Sequence, residues 1–276
     1  MTDNIIIMAG GASSRMKKSI DEKLAPEKIV QANQLSKGLI KFGGKPFLTY
    51  LMENILNAAF KNVFIITGEN SSMFHETFEN NPDFGALNFY FATQFIPKGR
   101  QKPYGTADAV YQCLEQYPHL KQENFCVCNS DNLYSLKALK MLKNMPEKQA
   151  ILAYDIEYLK YPKERISHFA VMKFNKNYNL IDIVEKPKTS KIQNYTDTFQ
   201  KIRVSMNIFL FEGQYFYKYL KSCAPNPVRN EKELPTALMN MINEGISVKG
   251  IPIAEHVPDL TSKKDIFELE RYLKDL

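Results

Sequence analysis

Residues 5–15 read IIIMAGGASSR, an apolar run that leads directly into a turn of small residues. A continuously apolar strand is typical of the centre of a parallel sheet, because helices cover both faces of such a strand. The backbone N–H groups of a small-residue turn between a strand and a helix can bind an anion. Arg15 adds a forked donor that suits phosphate oxygens. The pattern predicts an α/β fold with a phosphate site at the end of its first strand.

The first 150 residues continue this alternation of strands and helices. Apolar strands are predicted at 63–67 and 124–129, and helices at 47–59, 106–116 and 136–143. Such alternation predicts a mainly parallel central sheet with helices on both faces.

The pattern changes after about residue 150, where strands are separated by charged, Pro- or Asn-containing turns. We expect strands at 150–154, 169–174, 180–184, 204–211 and 247–253, and helices at 232–244 and 263–274. No repeat or linker is visible, so we expect one domain, 1–276, with lobes at about 1–150 and about 151–260. The polar segment 17–36 is either a lid or disordered stretch, or a surface helix.

The bulk composition limits the partners. Lys plus Arg number 36 and Asp plus Glu 30, so the net charge is +6, which suits phosphate-bearing ligands. No basic stripe with interleaved aromatic residues indicates nucleic-acid binding. No apolar run approaches the roughly 20 residues that span a bilayer, and no secretory leader pattern is present. We therefore expect a cytoplasmic protein without membrane or nucleic-acid partners.

Two well-known phosphate loops do not match the small-residue turn. It lacks the GxxxxGK[ST] pattern of the P-loop and the GxGxxG pattern of dinucleotide-binding folds. The turn must therefore belong to another class of phosphate site, or be an ordinary tight turn.

A series of short motifs resembles sugar nucleotidyltransferases. The segment MAGGASSRM (8–16) resembles the family's LAGGxGxRL signature, and Lys37 stands eight residues before Lys45, as in its K-x-x-x-x-[FL]-x-G-K motif. Four further motifs follow in the family's order: GTADAV (105–110), NSDN (129–132), EKP (185–187) and SMNIF (205–209). The resemblance implies a three-layer, Rossmann-like nucleotidyltransferase fold with a mainly parallel mixed sheet.

Details within these motifs point to different branches of the family. The FGGK step (42–45) and the GTADAVYQ run (105–112) resemble glucose-1-phosphate adenylyltransferases, but PFLTY (46–50) is closer to uridylyl-, thymidylyl- and guanylyltransferases. The nucleobase therefore stays open, and we expect no C-terminal β-helix of the kind that several relatives carry. Ser13 and Asn207 replace glycines of the family pattern, and the spacing from Arg15 to Lys37 is unusually long.

The resemblance implies that a nucleoside triphosphate reacts with a sugar 1-phosphate and releases pyrophosphate. The implied catalytic residues are Arg15 on the β- and γ-phosphates, Lys37 between the α-phosphate and the attacking phosphate, and Lys186 on the acceptor's phosphate. Lys41 and Lys45 are nearby alternatives to Lys37.

Three further groups of residues are implied. Ala9, Gly10, Gly11, Gly105 and Thr106 should contact the nucleotide. Gln94 and Gln101 are candidates to read the base edge. Glu185, Ser205 and Asn207 should join Lys186 around the sugar phosphate.

Asp131 and Asp259 are the candidate ligands of Mg²⁺, a hard cation that prefers carboxylate oxygens. Asp131 follows a predicted strand at its carboxyl end, where α/β sheets place ligand sites. Asp259 lies in a segment that resembles the family's late D-[VI]-G-T motif. The alternative readings are an Asx turn for Asp131 and a helix N-cap for Asp259.

Two other functions stay open from the sequence. The acceptor could be a non-sugar phosphate, with CTP or GTP as donor, or the chain could be a non-catalytic regulatory subunit that binds a nucleotide sugar. The oligomeric state, including a homo-oligomer, is also open.

Overall fold

The computed structural model describes residues 1–21, 23–185, 187 and 189–275. Twelve strands lie within them: β1 (Asn4–Met8), β2 (Lys41–Phe42), β3 (Lys45–Pro46), β4 (Asn62–Thr67), β5 (Asn88–Thr93), β6 (Asn124–Asn129), β7 (Ala150–Asp155), β8 (Ala170–Phe174), β9 (Leu180–Val184), β10 (Arg203–Ser205), β11 (Ile208–Glu212) and β12 (Lys249–Ile253).

The same residues contain ten α-helices: α1 (Ser14–Lys18), α2 (Pro26–Gln34), α3 (Phe47–Asn57), α4 (Ser72–Phe78), α5 (Thr106–Gln116), α6 (Leu136–Lys143), α7 (Lys163–Ile166), α8 (Gly213–Lys221), α9 (Leu234–Asn243) and α10 (Lys264–Lys274). Short 3₁₀ turns connect several of them: Lys37–Leu39, Pro82–Phe84, Pro118–Lys121, Ile156–Tyr158 and Thr189–Tyr195.

One ten-stranded sheet passes through both predicted lobes, in the order β5-β4-β1-β6-β11-β7-β10-β8-β9, with β12 paired to β7. Strands β5, β4, β1 and β6 are parallel to one another. From the pairings, seven of the ten strands run in one direction, and β9, β10 and β11 run in the other. The remaining strands, β2 and β3, form a small hairpin.

Helices cover both faces of this sheet because the side chains of its strands alternate between two cores. On β1, Ile5 and Ile7 belong to a core that includes residues of α3, α6 and α10. Ile6 belongs to the opposite core, which includes residues of α5, α8 and α9. The predicted three-layer α/β fold with a mixed sheet is confirmed.

The strand predicted at 204–211 is wrong, because two strands occupy that segment. β10 ends at Ser205 and β11 begins at Ile208, and Asn207 between them has a φ of 56°. A residue in the left-handed region cannot continue a strand, and asparagine adopts that region more readily than most residues. The break also lets β10 and β11 pair with different stretches of β7.

The polar segment 17–36 contains the end of α1 and the whole of α2. Helix α2 is docked, since Gln31 accepts a hydrogen bond from the Lys41 backbone N–H at 2.8 Å, and Lys28 forms an ion pair with Glu270 on α10 at 2.8 Å. Of the helices that the structure describes, none has both the length and the apolar character to cross a bilayer.

Candidate functional site

Two adjoining clefts lie at the edge of the sheet where β1 and β6 end. The first cleft has a volume of about 520 Å³ and is lined by the 8–15 turn, Gln94, Gly105 and the start of α9. The second has a volume of about 850 Å³ and is lined by Arg165, Ser205 and Asp259 among others. Residues that line both clefts mark their junction: Arg15, Asn129, Asp131, Glu185, Asn207, Arg229 and Glu231.

The small-residue turn forms one wall of the first cleft. A Cβ at Gly10 would lie 3.2 Å from the Thr67 carbonyl carbon, so only glycine lets these backbones approach without displacement. Ser13 has a φ of 52°, and its side chain makes no capping hydrogen bond to α1. Arg15 follows in α1 with an exposed side chain that lines both clefts. The turn therefore presents accessible backbone and one cation to the junction.

Another part of the lining of the first cleft is the turn before α5. Gly105 has a φ of 104°, and a Cβ there would lie 2.4 Å from the Lys232 carbonyl oxygen. The Thr106 hydroxyl oxygen accepts a hydrogen bond from the Leu234 N–H at 2.9 Å. This turn is therefore fixed against the start of α9, and its glycine cannot be replaced without moving that contact.

Gln94 lies beneath the first cleft with its carboxamide held in one orientation. Its Nε2 donates to the Asp108 carboxylate and to the Gly105 carbonyl, both at 3.0 Å. Gln112 also donates to Asp108, at 2.8 Å. An ionised carboxylate only accepts hydrogen bonds, so the atom facing Asp108 must be the amide nitrogen. Gln94 is 4% exposed, and its Oε1 would lie 3.4 Å from a Cβ at Gly10.

Two carboxylates lie near each other, Asp131 at the junction and Asp259 in the second cleft. Asp131 accepts a hydrogen bond from Lys37 Nζ at 2.7 Å, and its carbonyl oxygen accepts one from the Leu260 N–H at 2.8 Å. A β-bridge between Asn132 and Asp259 brings the two segments together. The predicted pair Asp131 and Asp259 is therefore adjacent, although 128 residues separate the two in sequence (259 − 131).

Asp259 is a buried carboxylate with its own cationic partner. Its Oδ2 accepts hydrogen bonds from Arg165 Nη2 at 2.7 Å and Thr261 Oγ1 at 2.8 Å. Burial raises the pKa of Asp259, and the charge of Asp131 raises the pKa further, whereas Arg165 opposes both effects. Two neighbouring carboxylates in one cleft supply hard oxygen donors of the kind that suits a divalent cation. The described residues contain no group of three or more metal-ligating side chains, so this pair would need other oxygen ligands.

The second cleft contains the remaining predicted residues. Ser205 is buried and accepts a hydrogen bond from the Asn207 N–H at 3.1 Å, while the Asn207 side chain is exposed. The Glu185 carboxylate pairs with Arg229 Nη2 at 2.8 Å. Lys186 lies outside the described residues.

The predicted residues divide between the clefts. The first cleft includes Ala9, Gly10, Gly11, Gly105, Thr106 and Lys37 in its lining. Ser205 and Asp259 line the second. Gln101, Lys41 and Lys45 are not among the lining residues of either cleft, and Lys45 instead pairs with Glu53.

Comparison with known proteins places this geometry in a family. The nucleotidyl transferase family matches residues 4–252, which include nearly every element of both clefts. The chain belongs to that family.

This nucleotidyl transferase family member is similar to several curated proteins. It is 26% identical over 226 residues to glucose-1-phosphate adenylyltransferase 1 of Vibrio vulnificus (strain YJ016), covering 80% of this chain and 52% of that protein. It is 23% identical over 269 residues to glucose-1-phosphate adenylyltransferase of Bacillus mycoides (strain KBAB4), covering 95% of this chain and 65% of that protein. The chain thus spans from about half to just under two thirds of these relatives' length.

Two arginines of this family member were missed by sequence reasoning. Arg229 lies at the junction and joins Glu185 to Glu233, the latter at 2.9 Å. Arg165 joins Asp259 to Asp265 beside the second cleft. The only signal for Arg229 was the charged run RNEKE (229–233), which resembles an ordinary solvated loop. Arg165 gave no signal, since its partners are about 94 and 100 residues away.

Proposed function

We propose that this chain transfers a nucleotidyl group from a nucleoside triphosphate to a sugar 1-phosphate and releases pyrophosphate. The observation that supports this best is the junction itself. Arg15, Asp131 and Arg229 line both clefts, so two anionic substrates bound in separate clefts would meet at these residues. An enzyme that joins two phosphates needs this arrangement, because positioning supplies much of its rate.

The proposed reaction needs no general base. The attacking phosphate oxygen is already anionic, and it forms a bond to the α-phosphorus while the bond from that phosphorus to the bridging oxygen breaks. The electron pair leaves with pyrophosphate. Catalysis then consists of alignment and charge neutralisation. We expect Arg15 to hold the departing phosphates and Lys37 to hold the α-phosphate. Both line the first cleft together with Asp131, and Lys37 pairs with that carboxylate.

The first cleft is proposed to bind the nucleotide. The bare backbone at Gly10 and Gly11 and the turn at Gly105 leave room for a base and ribose. A Cβ at Gly11 would meet nothing within 4 Å, so its lack of a side chain keeps that wall open. The Gln94 Oε1 on this wall is a hydrogen-bond acceptor for an N–H of the base.

The second cleft is proposed to bind the sugar phosphate. Glu185 is held by Arg229 and can accept hydrogen bonds from sugar hydroxyls, with Ser205 and Asn207 nearby. Lys186 is proposed from its motif to bind the acceptor's phosphate.

Asp131 and Asp259 are the residues proposed to hold Mg²⁺. When bound, the ion neutralises negative charge on the phosphate oxygens. The protein's own part is to keep the two carboxylates adjacent: Lys37 fixes Asp131, Arg165 fixes Asp259, and the bridge at Asn132 ties their segments together.

A substrate panel tests the proposal. Pyrophosphate release would be measured with ATP, UTP, dTTP, CTP and GTP, each against glucose 1-phosphate, other sugar 1-phosphates and phosphocholine. The names of the relatives make ATP with glucose 1-phosphate the first pair to assay. We expect turnover with one sugar 1-phosphate. Turnover with phosphocholine alone would indicate a non-sugar acceptor. Binding of a nucleotide or sugar phosphate without any turnover would favour a regulatory subunit.

A further inference from the structure

A buried lysine joins the beginning of α10 to the end of α1. Lys263 is 4% exposed, and its ammonium donates to the carbonyl oxygens of Met16 at 3.0 Å, Lys17 at 3.1 Å and Ser19 at 2.7 Å. A lysine ammonium has three donors, so these three bonds use all of them. No carboxylate of the described residues is paired with it, so carbonyl oxygens alone compensate for the loss of water.

The backbone of Lys263 makes a fourth link to the same helix end. Its N–H donates to Ser19 Oγ at 3.0 Å, and Ser19 Oγ donates to the Met16 carbonyl at 2.9 Å. The residues that these bonds join lie between 244 and 247 positions apart in the sequence.

Helix α1 depends on this contact for its position. It has five residues, and a helix so short is not stable alone in water. Its first turn has no side-chain cap, whereas its last carbonyls are bound by Lys263. A cation is also favoured at the carboxyl end of a helix by the helix dipole. Arg15 lies in this helix, and its own carbonyl accepts the Ser19 N–H at 3.0 Å.

Further hydrogen bonds and ion pairs connect the segment of Lys263 to Asp259. Asp265 accepts hydrogen bonds from the N–H groups of Thr261 at 2.9 Å and Ser262 at 2.5 Å, which fixes the turn that carries Lys263. Arg165 then ties Asp265 to Asp259. The segment 259–265 therefore holds one proposed metal ligand and the lysine that holds the helix of Arg15.

We propose that Lys263 is a positioning residue for Arg15, which sets where the departing phosphates of the nucleotide bind relative to Asp259. This inference rests on the proposed function. It adds how the helix that contains Arg15 is held at a fixed position relative to Asp259. Neither Lys263 nor its carbonyl partners need touch a substrate for this role.

The test compares Lys263→Met with Lys264→Met, which removes an exposed lysine at the next position. Pyrophosphate and tripolyphosphate affinities would be measured by calorimetry, and KM for nucleotide and acceptor separately by kinetics. Amide exchange of residues 13–19 and thermal unfolding would report the helix and the fold. In Lys263→Met we expect phosphate affinity to fall and nucleotide KM to rise about tenfold, as for the loss of one hydrogen bond between charged groups. Acceptor KM should stay within about twofold, and Lys264→Met should match the wild type.

The outcomes separate a positioning role from a merely structural one. If Lys263→Met is folded and exchanges faster at 13–19 but binds pyrophosphate like the wild type, the lysine only stabilises the helix and the proposal is overturned. If Lys263→Met does not fold, Ser19→Ala takes its place, with an expected loss of pyrophosphate affinity of about threefold for one hydrogen bond. Unchanged affinity in Ser19→Ala would then overturn the proposal.

Failure of the proposed function gives a different result. A wild-type chain that binds pyrophosphate but turns over no substrate pair contradicts the transferase, and the calorimetric comparison still decides the role of Lys263. A wild-type chain that binds neither pyrophosphate nor tripolyphosphate contradicts both proposals, because Arg15 would then hold no phosphate.

Discussion

The two clefts are built in different ways. Backbone turns form much of the first cleft, where a Cβ at Gly105 would clash with backbone and a Cβ at Gly10 would push its neighbour aside. Ion pairs between distant residues shape the second, as in the contacts of Arg165 with Asp259 and of Arg229 with Glu185. Removing one charge should therefore disturb the second cleft and the junction, whereas the first cleft should be sensitive to small changes in shape and orientation.

The junction should show the largest effect of a single charge. We expect Asp131→Asn to lower kcat on the order of 1,000-fold, because it removes the carboxylate that pairs with Lys37 and is proposed to hold the cation with Asp259. Steady-state pyrophosphate release would measure the loss, and Mn²⁺ binding by electron paramagnetic resonance would report the cation independently of turnover. The exposed Asp83→Asn is the matched control. Turnover like the wild type in a folded Asp131→Asn chain would contradict the metal assignment.

A buried ion cluster that lines neither cleft should matter for the stability of the fold. Arg203 donates to Asp197 at 2.7 Å and lies 3.8 Å from Asp155, with all three side chains buried. Breaking such a pair leaves a buried charge alone, so Arg203→Met should lower the free energy of unfolding by about 3 kcal/mol. Urea denaturation would measure the loss.

Lys173→Met, at an exposed position on the neighbouring strand β8, is the control for Arg203→Met and should change stability little. Equal losses in the two variants would mean that the cluster has no special role, and that charge matters no more here than on the surface.

The first cleft should respond to a change of orientation. In Asp108→Leu no acceptor faces the Gln94 nitrogen, so the Gln94 carboxamide loses the hydrogen bond that fixes its orientation beneath the cleft. We expect nucleotide KM to rise about tenfold, as for loss of about 1.4 kcal/mol of binding, with acceptor KM unchanged. Glu115→Gln, on the exposed side of the same helix, is the control. A matching rise in acceptor KM would show that Asp108 acts on the fold and not on the nucleotide.

The smallest expected effect is a pH dependence of stability. Burial by itself would raise the pKa of Asp197, but hydrogen bonds from Tyr178 and Arg203 outweigh burial and lower the pKa below its ordinary value. A carboxyl with a lowered pKa stabilises the fold above its unfolded pKa of about 3.9, and this contribution is lost as pH falls through the lowered value. The difference in the free energy of unfolding between the wild type and Arg203→Met should therefore be smaller at pH 3 than at pH 7. A gap that stays constant across urea titrations at both pH values would contradict this origin.

The elements that sequence reasoning located best are those determined by local pattern. Helix α5 was predicted at 106–116 and is found at Thr106–Gln116, and β9 was predicted at 180–184 and is found at Leu180–Val184. The glycine turn and the Asp131 segment were identified because glycine indicates a tight backbone turn and aspartate indicates a negative charge. Strand β5 and helix α8 were not predicted, although Phe216, Tyr219 and Leu220 of α8 have the i, i+3, i+4 spacing of a buried helix face.

The pairing of charges that are distant in the sequence could not be predicted from the sequence. Arg165 and Lys263 look like surface cations in a polar segment, and only the packing of α7, α10 and α1 places them beside their partners. The break at Asn207 was missed for a different reason, because one residue in the left-handed region interrupts an otherwise apolar run without any change in pattern.

The bridge between Asn132 and Asp259 joins two segments that the ribosome synthesises far apart in time. On the ribosome, the glycine turn and the strands that flank it emerge first, but Asp259 and Lys263 emerge some 250 residues after the turn. Contacts of such long sequence separation form late and slow the folding of a chain. The nascent protein is therefore expected to have incomplete clefts, and to gain affinity for polyphosphates only when β12 and α10 have docked.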